Sequence, residues 1–188
     1  VKKVKHTDLL FVIALLLCLL IHSLFVFLVP YSEDESFYVT IPFRLLNGDS
    51  LVKQEWHLSQ FSSLFTIIPV YIWTAIKGSV DGIFIFLRCL FLFMHTTLAI
   101  TIYRFFKKYG VWAIMASIMF YIQVPYRFQA ISYQSVFVAF LLLLTLCLIS
   151  IYEKKSVHFY IFAGISIGCC CVCNPIFCIA YVLYLLGC

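Results

Sequence analysis

Three consecutive carboxylates, Glu33, Asp34 and Glu35, follow closely on an apolar run that ends at residue 29. Six of the chain's eight acids lie between Glu33 and Asp81, so negative charge is concentrated in one segment. Charge beside the low-dielectric lipid phase is costly unless it is used. One use is structural: an acid at a helix start caps free N–H groups and meets the positive end of the helix dipole. That accounts for one acid, not for a cluster. The other use is chemical. Partial desolvation makes a carboxylate a better base, fit to take a proton from a hydroxyl or amine acceptor while the second reactant comes from the membrane.

Other residues could serve the same chemistry. The stretch "LVKQEWHLSQ" (51–60) offers Lys53, Glu55, His57 and Gln60, whose polar heads suit a phosphate or a sugar as well as a solvated loop. Trp56 can stack on a sugar face or anchor at the interface. Arg88 lies about two turns into a later apolar run, where a cation faces a cavity, pairs with an acid or reaches back to the interface. Arg127, in "VPYRFQAISYQS", is a further cation, and Tyr133 and Gln134 close that loop. His22 and His95 fall within apolar runs, where a helix–helix hydrogen bond is the ordinary role and proton transfer the rarer one. The nine cysteines all lie in apolar runs. "CCCVC" (169–173) has no nearby histidine or carboxylate and lacks zinc-site spacing. Its residues are expected to pack as small apolar side chains.

The elements that must position these groups follow from composition. The chain is 64% hydrophobic and 11% charged, with a mean hydropathy of +1.07. Soluble domains are about 45–50% apolar and about 25% charged. The bilayer is therefore the main solvent. The net charge of +5 comes in small clusters between apolar runs, not in a basic face for nucleic acid. Spans are expected at 9–29, 82–103, 110–125, 135–152, 158–173 and 176–188. The first lacks a small-residue cleavage site and reads as a retained span. A further run, 61–76, is shorter than the ~20 residues of a span and contains Pro69. If it lies in the outer interface without crossing, every basic cluster falls on the side of Lys2, Lys3 and Lys5, as the positive-inside rule requires. The N-terminus is then cytoplasmic, and segment 30–81 is the first extracytoplasmic loop. Within it, Phe37, Tyr38, Ile41, Leu45 and Leu46 recur at helical spacing. Ser32 and Glu35 match a capping box, Asn47-Gly48 a stop, and Pro42 is expected to kink or divide the helix. The expected fold is all-α: a polytopic membrane helix bundle, one membrane domain over 1–188, with amphipathic juxtamembrane helices in that first loop.

The order of these features resembles a family. Span 1, "DE" a few residues out, an aromatic helix ending "LLNGD", a second surface helix and a span with an early arginine together look like the N-terminal module of the GT-C membrane glycosyltransferases. That superfamily includes the protein O-mannosyltransferases and the lipid A aminoarabinose transferase. The resemblance covers nearly the whole chain, but its specific part is the short "DESFY…RLLNGD". It implies transfer of a sugar from a polyprenyl-phosphate donor to an extracytoplasmic acceptor in the cell envelope, a glycan, lipid or protein. The family's catalytic acid falls on Asp34, with Glu35 beside it, and family members often carry an arginine near Arg88. A divalent metal is the one cofactor the resemblance suggests. Many relatives place a second acid, which helps bind it, where this chain has Tyr133-Gln134. Relatives typically have more spans, so the chain is expected to be the N-terminal portion of a longer enzyme. The rivals are a transporter or flippase using Arg88, His95 and His22 as a polar path, and a non-catalytic membrane protein.

Overall fold

A computed structural model of the protein describes residues 2–31, 33–54, 60–123, 129–154 and 156–187. Its regular elements are helices: α1 (Lys2–Leu28), α2 (Glu33–Leu46), α3 (Ser63–Lys77), α4 (Ile83–Phe106), α5 (Val111–Ile122), α6 (Tyr133–Lys154), α7 (Val157–Cys173) and α8 (Pro175–Gly187). Single 3₁₀ turns precede α3 and follow α4.

Among the described residues, three stretches are long and apolar enough to cross a bilayer: His6–Leu28, Ile83–Tyr109 and Tyr133–Glu153, with mean hydropathies of 3.0, 2.1 and 2.6. Leu9, Leu16, Leu17 and Leu20 of α1 are more than half exposed. A helix apolar all round belongs in lipid, and this is a membrane protein. The three other expected spans are shorter: α5 has 12 residues, α7 has 17 and α8, expected at 176–188, has 13. At 1.5 Å per residue these reach about 18, about 25 and about 20 Å, against a hydrocarbon core of about 30 Å.

The chain divides into two compact units, Val1–Tyr31 with Phe84–Ala130, and Ser32–Ile83 with Ile131–Cys188. In the first unit, Phe11 and Leu15 of α1 meet Ala99 and Tyr103 of α4 and Ala113, Ile114 and Tyr121 of α5. Small side chains let α4 and α5 approach, and Ser117 Oγ donates to the Ala99 carbonyl across them at 2.6 Å. Such small-residue contacts suit lipid, where hydrophobic burial adds little between helices.

In the second unit, α2 packs on α3, and α6 on α7. Pro42 was expected to kink or divide α2; it does not divide it, and one helix runs from Glu33 to Leu46 with Pro42 inside and buried. Proline removes one backbone donor, a loss that tertiary packing can outweigh. Its stop is as expected: Gly48 has φ +98°, and Asp49 N–H returns to the Arg44 carbonyl at 3.1 Å. Ser32, the expected cap, lies outside the described residues. Helix α3 continues through Pro69 and ends on Gly78 (φ +67°), whose N–H donates to Thr74 at 2.9 Å. Its 15 residues reach about 22 Å, short of a span.

Candidate functional site

The acids open α2, all three in its first turn, with Arg44 in its last. Adjacent residues on a helix point about 100° apart, so the three cannot share one environment. Glu35 is 3% exposed, and Glu33 and Asp34 face outward. The buried stripe is Glu35, Val39 and Pro42, together with Ile41. The expected apolar face, centred on Phe37, Tyr38, Ile41 and Leu45, is thus rotated: Phe37 is exposed, and the burial expected around Asp34 falls on Glu35.

One turn along α2 from Asp34 stands Tyr38, half-buried. Burial pushes its phenol well above the ordinary tyrosine range, and Tyr133 and Asp34 add to the shift. The Tyr38 and Tyr133 rings lie 6.3 Å apart. Gln134 Nε2 donates to the Tyr133 hydroxyl at 2.6 Å, and Gln134 Oε1 is buried with no hydrogen-bond partner among the described residues. Asp34, Tyr38, Tyr133 and Gln134 all belong to the second unit. They comprise a solvated carboxylate, a phenol that stays protonated as a donor, and an open amide acceptor. In the sequence Tyr38 stands in an apolar stripe and in the "DESFY" motif, with no role as a donor assigned to it. Its i, i+4 spacing from Asp34 was the available signal.

The loop after α2 is held by side chains. Arg44 Nε donates to Asp49 Oδ2 at 2.6 Å and its Nη2 to the Gln54 carbonyl at 3.2 Å. Gln60, buried, accepts from Val52 N–H at 2.7 Å through Oε1. Val52 has φ +70°, a strained value for a β-branched residue. Gln60 therefore serves the loop's conformation, while Lys53 is exposed. Glu55, Trp56, His57 and Arg127 lie outside the described residues. Between α2 and α3, Tyr38, Pro42 and Thr66 help line a cavity of about 10 Å³, room for a single water.

Arg88 belongs to the first unit and is 2% exposed. The guanidinium donates to the carbonyls of Val26 (3.0 Å), Val29 (2.8 Å) and Pro30 (3.1 Å), and sits 4.6 Å over the Tyr31 ring. The cause is in the chain. The Val26 carbonyl would ordinarily accept from the N–H four residues on, but residue 30 is proline and has none. Arg88 supplies the missing donor at the negative end of α1.

The two intramembrane histidines depart from the expected helix–helix hydrogen bond. His22 Nδ1 bonds within its own helix, to the Cys18 carbonyl at 2.9 Å. His95, 2% exposed, is stacked between Phe91 and Phe120 with centroids at 4.7 and 4.8 Å. Phe120 and Gln123 carbonyls are close enough to act electrostatically, but neither ring nitrogen completes a hydrogen bond among the described residues. Replacing His95 with phenylalanine keeps the stack and removes two unmatched polar atoms. Thermal unfolding in detergent should show a gain of about 1 kcal/mol; a clear loss would mean that the imidazole has a polar partner.

The described cysteines are free thiols, with Cys170 and Cys173 buried. Among the described residues no three His, Cys, Asp or Glu side chains come together to hold a metal. Compared with known proteins, the chain matches no family model, no curated protein and no solved structure.

Proposed function

We propose that this chain is part of a polytopic membrane glycosyltransferase of the GT-C type, moving a sugar from a polyprenyl-phosphate donor to an extracytoplasmic acceptor. The observation that carries the reading is the exposed Asp34, one turn from the half-buried phenol of Tyr38 and at the head of a short helix that follows a membrane-length helix. Asp34 is the general base. It takes the acceptor's proton as the acceptor oxygen or nitrogen bonds to the anomeric carbon. The bond from that carbon to the phosphate oxygen breaks, and the electron pair leaves with the lipid phosphate, inverting the centre. Hydrogen-bond donors aimed at developing negative charge lower such a barrier. Tyr38 is the nearby donor that stays protonated, and Gln134 Oε1 is an acceptor for a sugar hydroxyl. Lys53 is the second-unit cation assigned to the phosphate. Arg88 instead anchors the end of α1, the chain that leads into the acids.

The test is transfer of labelled sugar from polyprenyl-phosphate donors by membranes carrying the complete reading frame. Asp34→Asn and Glu35→Gln are run beside the parent. No product from the parent removes the reading, and full transfer by Asp34→Asn removes Asp34 from it. The small α2–α3 cavity favours a second reading, a non-catalytic membrane-surface module, which predicts no product at all. A transporter predicts substrate flux without glycosyl product.

The orientation proposed here puts residues 30–81 outside the cytoplasm. In a background with the native cysteines replaced, Glu33→Cys and Val80→Cys should both react with an impermeant maleimide added from the extracytoplasmic side. Labelling of position 80 from the cytoplasmic side alone would mean that α3 crosses the membrane.

A further inference from the structure

A groove of about 360 Å³ runs between α1 and α4 in the first unit, within the roughly 300–1,000 Å³ of small-molecule sites. Its lining changes character along the helices. Asp8, Tyr103, Arg104 and Lys107 form one end, and Phe11 and Leu15, one and two turns further along α1, line the rest. Ile100, one turn back along α4, faces the same apolar part.

The polar end has a definite charge. The Asp8 carboxylate accepts from the Tyr103 hydroxyl at 2.6 Å and from the Lys107 ammonium at 2.8 Å. That acid and that cation offset each other. Arg104 is exposed and has no hydrogen-bond or ion-pair partner among the described residues, so it leaves the groove with one net positive charge. Lys108 follows in the chain, and Lys2, Lys3 and Lys5 begin α1.

We infer that this groove binds an anionic phospholipid of the bilayer, its phosphate on Arg104 and one acyl chain along Phe11, Leu15 and Ile100. A free anion would use the cation but not the apolar trough. A zwitterionic lipid would bring a second cation to a groove whose one carboxylate is already matched. Basic grooves between membrane helices at the lipid surface suit acidic headgroups for this reason. The site is independent of the transferase reading, since neither α2 nor its acids take part.

The experiment is native mass spectrometry of the full chain in detergent, titrated with phosphatidylglycerol or phosphatidylcholine. The parent should bind phosphatidylglycerol in preference. Arg104→Gln should weaken that binding about fivefold, the worth of one cation near a lipid surface, and leave phosphatidylcholine unchanged. Lys77→Gln, which removes an exposed cation of the other unit, should change neither. Val12→Trp, which fills the groove from an exposed position without altering charge, should weaken phosphatidylglycerol binding as well. Undiminished binding by Arg104→Gln or by Val12→Trp overturns the inference, as does an equal loss in Lys77→Gln. Displacement of the lipid by inorganic phosphate would also overturn it, reassigning the cation to a free anion.

Discussion

Arg88→Met should lower the unfolding free energy of the protein in detergent by about 2–4 kcal/mol. Two opposing effects set the sign. A cation within an apolar helix disfavours insertion by about 2.5–3.5 kcal/mol, and methionine removes that penalty. The three carbonyls of Val26, Val29 and Pro30 then lose their charged donor. Hydrogen bonds to a charged donor are worth about 1.5–3 kcal/mol each, and the Val26 carbonyl is buried with it, so the loss of all three outweighs the gain. Pro30 makes the loss hard to repair, because the backbone has no N–H there to take over. Arg88→Lys should fall between the two, since an ammonium keeps the charge but not the planar fork that reaches several acceptors. Unfolding midpoints of the three proteins in denaturant decide the matter. Equal midpoints for parent and Arg88→Met would show that the carbonyl contacts contribute nothing to folding.

Asp34→Asn should reduce sugar transfer by about 10²–10⁴-fold, the usual contribution of a positioned general base. The side chain is exposed, so the amide, similar in size, should leave folding and expression unchanged. Glu35→Gln is a different experiment. Glu35 is buried, and its replacement should act first on stability, with activity falling in step with the folded fraction. Tyr38→Phe keeps the ring against Tyr133 and removes the hydroxyl, so its effect should appear in turnover and not in folding. A loss of transfer in Asp34→Asn matched by an equal loss of folded protein would deprive Asp34 of its chemical role.

Much of the architecture was legible in the residues. The membrane helices at 6–28, 83–109 and 133–153 are announced by long apolar runs. The start of α2 at the acids, its end at Asn47-Gly48 and the shortness of α3 were readable for the same kind of reason: each depends on neighbours a few positions away. Of the two outcomes open at Pro42, a kink or a division, the division does not occur: α2 is one helix from Glu33 to Leu46. Helix α5, at 12 residues, is shorter than the run expected over 110–125, since an apolar run marks a hydrophobic stretch and not where its helix begins and ends; α7 covers its expected run, 158–173, which is itself shorter than the ~20 residues of a span.

By itself the sequence determined that the chain is helical, that lipid surrounds its long helices, and where its acids and cations fall along the chain. These follow from composition and a 3.6-residue period, which are local. Tertiary structure alone decided that Glu35 turns inward while Asp34 turns out, and that Arg88 answers carbonyls some sixty residues earlier. It also decided that Asp8, Tyr103 and Lys107 meet at the mouth of a groove. Such pairings bring together groups far apart in the chain, and their energies depend on angles and distances that only the packing of one helix on another sets.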